Sequence, residues 1–152
     1  MNPINFITRA SGIARTAHAG QTDKAGKNYF EGHLTSVASM GKTWQEQVLG
    51  YLHDVAEDTP ISETEVIEML QKDEKLPTDA ADGLLKALKL LNSNNFPDRE
   101  TYLKAVKENS WAKAVKINDL TNNMDLTRIA NPTEKDKARV ERYKREIAWM
   151  KE

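Results

Sequence analysis

The stretch YLHDVAEDT constrains this chain more than any other. It sets one imidazole and three carboxylates, His53, Asp54, Glu57 and Asp58, within six consecutive residues of an apolar helical segment. Successive helical residues are rotated by about 100°, and residues four apart share a face. The spacing therefore predicts His53 with Glu57 on one face, Asp54 with Asp58 on the next, and all four converging on one small volume. Carboxylates buried side by side repel unless a cation or a raised pKa relieves them. A metal-centred hydrolytic site is the economical explanation.

The rest of the chain reads as helical nearly throughout. Ile7, Ala10, Ile13, Ala14 and Ala17 recur at helical spacing over about residues 4–19. GQTDKAGKNYFEG is a glycine-punctuated loop, followed by a short helix over about residues 33–40. Thr43 and Glu46 form a capping box that opens the helix carrying the four polar groups, with Val48, Leu49, Leu52 and Val55 on its core face. Ser62 and Glu65 make a second box, and Pro77-Thr78 opens a helix through Leu91. NSNNFPD suits a flexible rim loop. Helices near 99–109 and 110–125 follow, and Asn131-Pro132-Thr133 caps a final charged helix ending at Trp149. With no strand alternation, repeat or linker, the expectation is one all-α domain over residues 1–152, a bundle of about eight helices. Trp44, Trp111 and Trp149 fall at apolar helical positions and read as core or interface anchors. EKDKARVERYKRE reads as an exposed face laced with ion pairs.

Composition narrows the function classes. Twenty-two basic against 23 acidic residues leave a formal charge of −1, which supports neither a nucleic-acid surface nor a polybasic membrane anchor. A helix-turn-helix reader would need a basic recognition face that is absent. No cysteine occurs, excluding thiolate metal sites, disulfides and thiol nucleophiles. No apolar run approaches the ~20 residues of a membrane helix, and MNPINFITRA lacks the pattern of a signal peptide. The expectation is a cytoplasmic protein acting on a small molecule, without nucleic-acid or membrane partners. Monomer and homodimer are equally compatible with the pattern.

Two further segments can complete a metal site. His33 follows the aromatic loop, and Asp119 sits in the apolar-flanked VKINDLTNN. With His53 and Asp54 they make two imidazoles and two carboxylates, a nitrogen and oxygen set suited to manganese, iron or zinc. Glu57 and Asp58 would then orient or deprotonate an attacking water. His18, in AHAGQ, reads as structural.

The three blocks AHAGQTDKAGKNYFEGH, LHDVAEDT and VKINDLTNN, in that order, resemble the HD-domain phosphohydrolases. The resemblance runs over about residues 5–150 and is to the hydrolase domain of RelA/SpoT-type alarmone enzymes and the single-domain small alarmone hydrolases. It implies an HD-type helical domain that uses one Mn²⁺ to remove the 3′-pyrophosphate of guanosine tetra- and pentaphosphate. By the same resemblance the ligands are His33, His53, Asp54 and Asp119, Glu57 and Asp58 are the catalytic acidic pair, and Lys24, Tyr29 and Asn123 contact substrate. Three positions depart from the family pattern. Asp23 and Asp125 stand where arginines are usual, and Leu34 stands where proline is usual. Arginine stacks and forks whereas a carboxylate does neither. The substrate expectation therefore stays open among guanosine alarmones, adenosine alarmones and another ribose-phosphorylated nucleotide such as NADPH. A non-catalytic nucleotide sensor is the alternative outside the enzyme class.

Overall fold

Asn2 starts the first helix, α1 (Pro3–Ala17), by accepting the Ile4 amide on its side chain at 3.0 Å. The computed structural model describes the backbone of residues 1–152 and every side chain except that of Arg128. A π-helical turn, Phe30–Leu34, runs directly into α2 (Thr35–Ser39), and α3 (Trp44–Leu52) and α4 (Val55–Asp58) follow. Next come α5 (Glu63–Leu70), α6 (Thr78–Leu91) and a 3₁₀ turn, Ser93–Asn95. The chain closes with α7 (Arg99–Lys107), α8 (Ser110–Asn123), a second 3₁₀ turn at Leu126–Arg128, and α9 (Glu134–Met150). The all-α expectation holds. Among the described residues the one extended pairing is an isolated bridge between Thr22 and Asn28 in the glycine-punctuated loop.

Local chemistry accounts for most boundaries. The expected capping box at Ser62/Glu65 is complete, and the cap expected at Thr133 is a full box with Asp136. The Thr43/Glu46 box is only half made. Thr43 accepts the Glu46 amide, but the Glu46 carboxylate reaches back to the Lys42 amide rather than that of Thr43. The helix expected to run through His53–Asp58 breaks instead. α3 ends at Leu52, His53 and Asp54 form a turn, and α4 is a single short turn. The short helix expected near residue 33 begins earlier, as the π-helical turn.

α3 lies at the centre, packed against α1, α2, α6 and α8. Phe6 and Ala10 from α1, Val48, Leu49 and Leu52 from α3, Leu84 and Leu88 from α6, and Val115 and Leu120 from α8 share one buried cluster. Full burial of each large aliphatic side chain contributes about 1.5–3 kcal/mol. Gly50 permits the α2–α3 contact, because a Cβ there would lie 2.7 Å from the Ala38 Cα and 2.9 Å from its amide nitrogen. The three tryptophans pack partly buried against the same core. The ion pairs Lys137–Glu134, Arg139–Asp136 and Lys144–Glu141 decorate α9 as its sequence predicts. No helix among the described residues is long and apolar enough to cross a membrane.

Candidate metal centre

His33, His53 and Asp119 come from three separate elements and are all buried. The π-helical turn carries His33, and its widened bond runs from the Thr35 amide to the Phe30 carbonyl. Such turns re-aim a side chain relative to an α-helix and recur at functional sites. His53 is the residue on which α3 ends, and Asp119 lies in the third turn of α8. The break after Leu52 brings His53 and Asp54 together although they are adjacent in sequence, with His53 Nε2 3.2 Å from Asp54 Oδ2. Ligand atoms of His33, His53 and Asp119 lie within 4.8 Å of one another and could hold a metal ion.

The hydrogen bonds set the tautomers. His53 Nδ1 lies 2.8 Å from the Gly50 carbonyl oxygen, which can only accept, so Nδ1 carries the proton. In the neutral ring, Nε2 then presents a lone pair toward Asp54 Oδ2 and, at 3.4 Å, toward Asp119 Oδ1. That nitrogen is buried and has no hydrogen-bond partner. His33 repeats the arrangement. Its Nδ1 faces Asn122 Oδ1 at 2.8 Å, while Nε2 is 2.9 Å from Asp119 Oδ1 and 3.7 Å from Asp54 Oδ2. Lone pairs of two imidazoles and two carboxylates thus face one point, an arrangement that only a proton or a cation relieves. The two nitrogens and one carboxylate oxygen of His33, His53 and Asp119, with both far nitrogens tied to acceptors and Asp54 Oδ2 close by, could hold a divalent ion.

Electrostatics follow from this crowding. Burial opposes protonation of His53, but Asp54 and Asp119 outweigh it and hold its pKa well above the ordinary value. Burial would raise Asp54, yet His53 draws it down to about 2. Asp119 is likewise held well below the usual carboxylate range, burial being overcome by Lys116 and the imidazoles. The Tyr29 hydroxyl donates to Asp54 Oδ2 at 2.5 Å, and burial beside that carboxylate raises its pKa, so the phenol remains a neutral donor. Asn123 Nδ2 donates to Asp119 Oδ1 at 3.2 Å.

A cavity of about 240 Å³ opens at His33, lined also by Lys24, Tyr29, Asn123, Ile129 and Tyr143 among others. The candidate substrate residues Lys24, Tyr29 and Asn123 are therefore gathered at one cavity, with Lys24 on its exposed rim. Asp23 and Asp125 line it too and have structural work. Asp23 Oδ1 accepts the Ala25 and Lys27 amides, and its carboxylate lies against the Cα of Gly32. Asp125 Oδ1 accepts the Thr127 amide. A larger groove of about 580 Å³, lined by Glu63, Leu85, Lys89 and Phe96 among others, contains neither imidazole.

The expected convergence is corrected for Glu57, whereas Asp58 stays within electrostatic reach of Asp54, His53 and Asp119. Glu57 is half-buried and turns away, its Oε1 accepting both the amide (2.9 Å) and the hydroxyl of Ser93. The rim loop is thus clamped to α4. Asp58 is exposed overall, but partial burial of its carboxyl and the charges of Asp54 and Glu57 push it up to about 6. Only Asp54 of the three carboxylates is buried. The helix break after Leu52 explains the difference, because it removes the continuous rotation that the face-sharing argument assumed.

Three contributors escaped the sequence reading. Lys116 Nζ lies 2.9 Å from Asp119 Oδ2, Asn122 holds His33, and Ser93 holds Glu57. The i, i+3 spacing of Lys116 and Asp119 was a visible signal. Nothing local points to the other two. His18, read as structural, is buried with Nδ1 3.0 Å from Gln21 Oε1 and its ring against Tyr29. Comparison with protein-family models finds no matching family, and no curated protein matches the chain.

Proposed function

We propose that the chain is a metal-dependent nucleotide phosphohydrolase of the HD type. Its resident ion in this reading is Mn²⁺, held by His33, His53, Asp54 and Asp119, and its reaction is removal of a 3′-pyrophosphate from a guanosine or adenosine alarmone. The observation that carries the reading is the unpartnered Nε2 of His53, facing two carboxylates in a cluster whose His33 lines a cavity edged by Lys24. A bound divalent ion supplies Lewis-acid charge to phosphoryl oxygens and activates water at neutral pH.

The chain's own groups do the rest. Tyr29 fixes Asp54 by donating to Oδ2, and Asn123 fixes Asp119 by donating to Oδ1. Asp58, with a pKa near 6, is ionised at neutral pH and is the group suited to accept a proton from water. Glu57, tied to Ser93, orients the α4 turn that presents Asp58. Lys24 brings a positive charge to the cavity rim for phosphate. The cavity's 240 Å³ lies below the usual size of a ligand pocket. That favours, as a second reading, a nucleotide bearing a single phosphate on its ribose, such as NADPH, of which only the phosphorylated end enters.

The test is phosphate and pyrophosphate release from guanosine and adenosine 3′-pyrophosphates, NADPH and 5′-triphosphate controls, with Mn²⁺ and with chelator. Chelator-sensitive pyrophosphate release from one base supports the reading and names the substrate. Release of single phosphates selects the second reading. Metal binding without turnover of any member overturns hydrolysis of these nucleotides in favour of a nucleotide sensor.

A further inference from the structure

The two oxygens of Asp119 have different surroundings. Oδ1 is the atom that faces the imidazoles, 2.9 Å from His33 Nε2 and 3.4 Å from His53 Nε2, with Asn123 Nδ2 at 3.2 Å. Oδ2 belongs to Lys116, whose Nζ lies 2.9 Å away. The Lys116 side chain is only 12% exposed, and its ammonium sits 5.3 Å from the centre of the Tyr102 ring. Tyr102 is itself fixed, its hydroxyl donating to the Leu91 carbonyl at 3.1 Å. A flexible lysine is thus held in one place, against the cost of withdrawing an ammonium from water.

We propose that Lys116 is a positioning residue for the metal centre, which holds Asp119 as a one-oxygen ligand and offsets negative charge in the loaded site. The inference rests on the metal centre itself. Carboxylates bind cations through one oxygen or both. With the ammonium on Oδ2, two-oxygen binding by Asp119 requires breaking a charge-assisted hydrogen bond. Coordination capacity is thereby kept for water and for a phosphoryl oxygen. The charge balance points the same way. A divalent ion with Asp54 and Asp119 sums to zero, the ionised Asp58 adds one negative charge, and Lys116 cancels it, which favours an incoming phosphate relative to the same site without the lysine. The same charge opposes the metal, so Lys116 gives up cation affinity in exchange for anion affinity.

The test uses Mn²⁺ alone and then inorganic phosphate, followed by titration calorimetry on the full chain and on Lys116→Met and Lys116→Arg. In Lys116→Met the Mn²⁺ dissociation constant falls about tenfold because a nearby positive charge has gone, and phosphate binding to the Mn²⁺-loaded protein weakens about tenfold. Lys116→Arg restores both values toward those of the unsubstituted chain. A merely structural lysine gives the opposite sign for the metal, because a loosened site binds cations less well. Unchanged or weaker Mn²⁺ binding in Lys116→Met therefore overturns the inference. If Lys116→Met does not fold, Lys116→Gln keeps an N–H donor for Oδ2 without the charge, and it must show the same tightening. Failure of the unsubstituted chain to bind Mn²⁺ or any other divalent ion overturns the metal centre and this inference with it. Metal binding that is indifferent to Lys116 removes this inference alone.

Discussion

His53 Nε2 lies 3.4 Å from Asp119 Oδ1 across the packing of α3 on α8, yet that nitrogen has no hydrogen-bond partner. Its ring proton is committed on the other side, to the Gly50 carbonyl. In the metal-free protein the pair is relieved by protonation of His53, whose pKa is held well above the ordinary 6.5 by Asp54 and Asp119 despite its burial. A cation and that proton therefore compete for one place.

The competition gives a calorimetric signature. Near pH 7, Mn²⁺ binding releases a proton, detected as a dependence of the apparent enthalpy on the ionisation enthalpy of the buffer. A histidine whose pKa is raised on folding adds stability that is fully present below about pH 6.5 and is lost as pH rises through the folded value. The metal-free protein is thus destabilised as pH rises above 6.5 and through the raised folded value, and Mn²⁺ compensates most at the alkaline end. At a hundred times its Kd, bound Mn²⁺ adds about 2.7 kcal/mol, or roughly 5–10 °C in Tm for a domain of this size. Chelator reverses the rise. A Tm indifferent to Mn²⁺, Zn²⁺ and Fe²⁺ would sink the metal reading.

Asn122→Ala tests the support behind His33. The Asn122 side-chain oxygen is the partner of His33 Nδ1 at 2.8 Å, so its loss frees the imidazole to rotate or change tautomer. Removing such a partner lowers metal affinity about 10–100-fold. Equal Mn²⁺ affinity in the variant and the unsubstituted chain, measured by calorimetry, contradicts this.

Asp58→Asn separates chemistry from binding. The variant leaves Mn²⁺ affinity within a factor of about three, since Asp58 lies outside the ligand set, while turnover drops about 10²–10⁴-fold. Stability moves the other way. Because the Asp58 carboxyl is raised from 3.8 to about 6 on folding, the native state binds more protons over that interval and loses stability as pH climbs through it. Asp58→Asn accordingly melts higher than the unsubstituted chain at pH 7 and equally at pH 4. Thermal denaturation at both pH values checks the sign.

Gly50→Ala tests the α2–α3 contact. The added Cβ meets the Ala38 backbone at 2.7 Å, and no rotamer change relieves a clash with main chain. Overpacking of this kind costs about 1–3 kcal/mol, or roughly 2–12 °C in Tm. The Gly50 carbonyl also orients His53, so Mn²⁺ affinity falls with it. An unshifted Tm would show that α2 and α3 part without penalty.

Much of the architecture was legible because its causes are local. Pro77 before α6, the Ser62/Glu65 and Thr133/Asp136 boxes, and the aliphatic stripes of α6 and α8 act within a few residues of the elements they specify. The candidate ligands His33, His53, Asp54 and Asp119 were legible for a different reason. Polar groups in otherwise apolar helices need a common destination, and the structure brings these four together. The break at His53–Asp54 was not legible, since Leu52, His53 and Val55 all read as helix-compatible.

Residue types and their short-range spacing were sufficient for an all-helical chain and for singling out His33, His53 and Asp119, a group that could hold a cation. They could not say that Glu57 would leave the group for Ser93, that Asn122 would steady His33, or that Lys116 would take the second oxygen of Asp119. Helix propensity and capping are short-range interactions. The choice of a side chain's partner depends on which helices pack together and at what distance, here on how closely α3 meets α2 over Gly50 and α8 over the buried core.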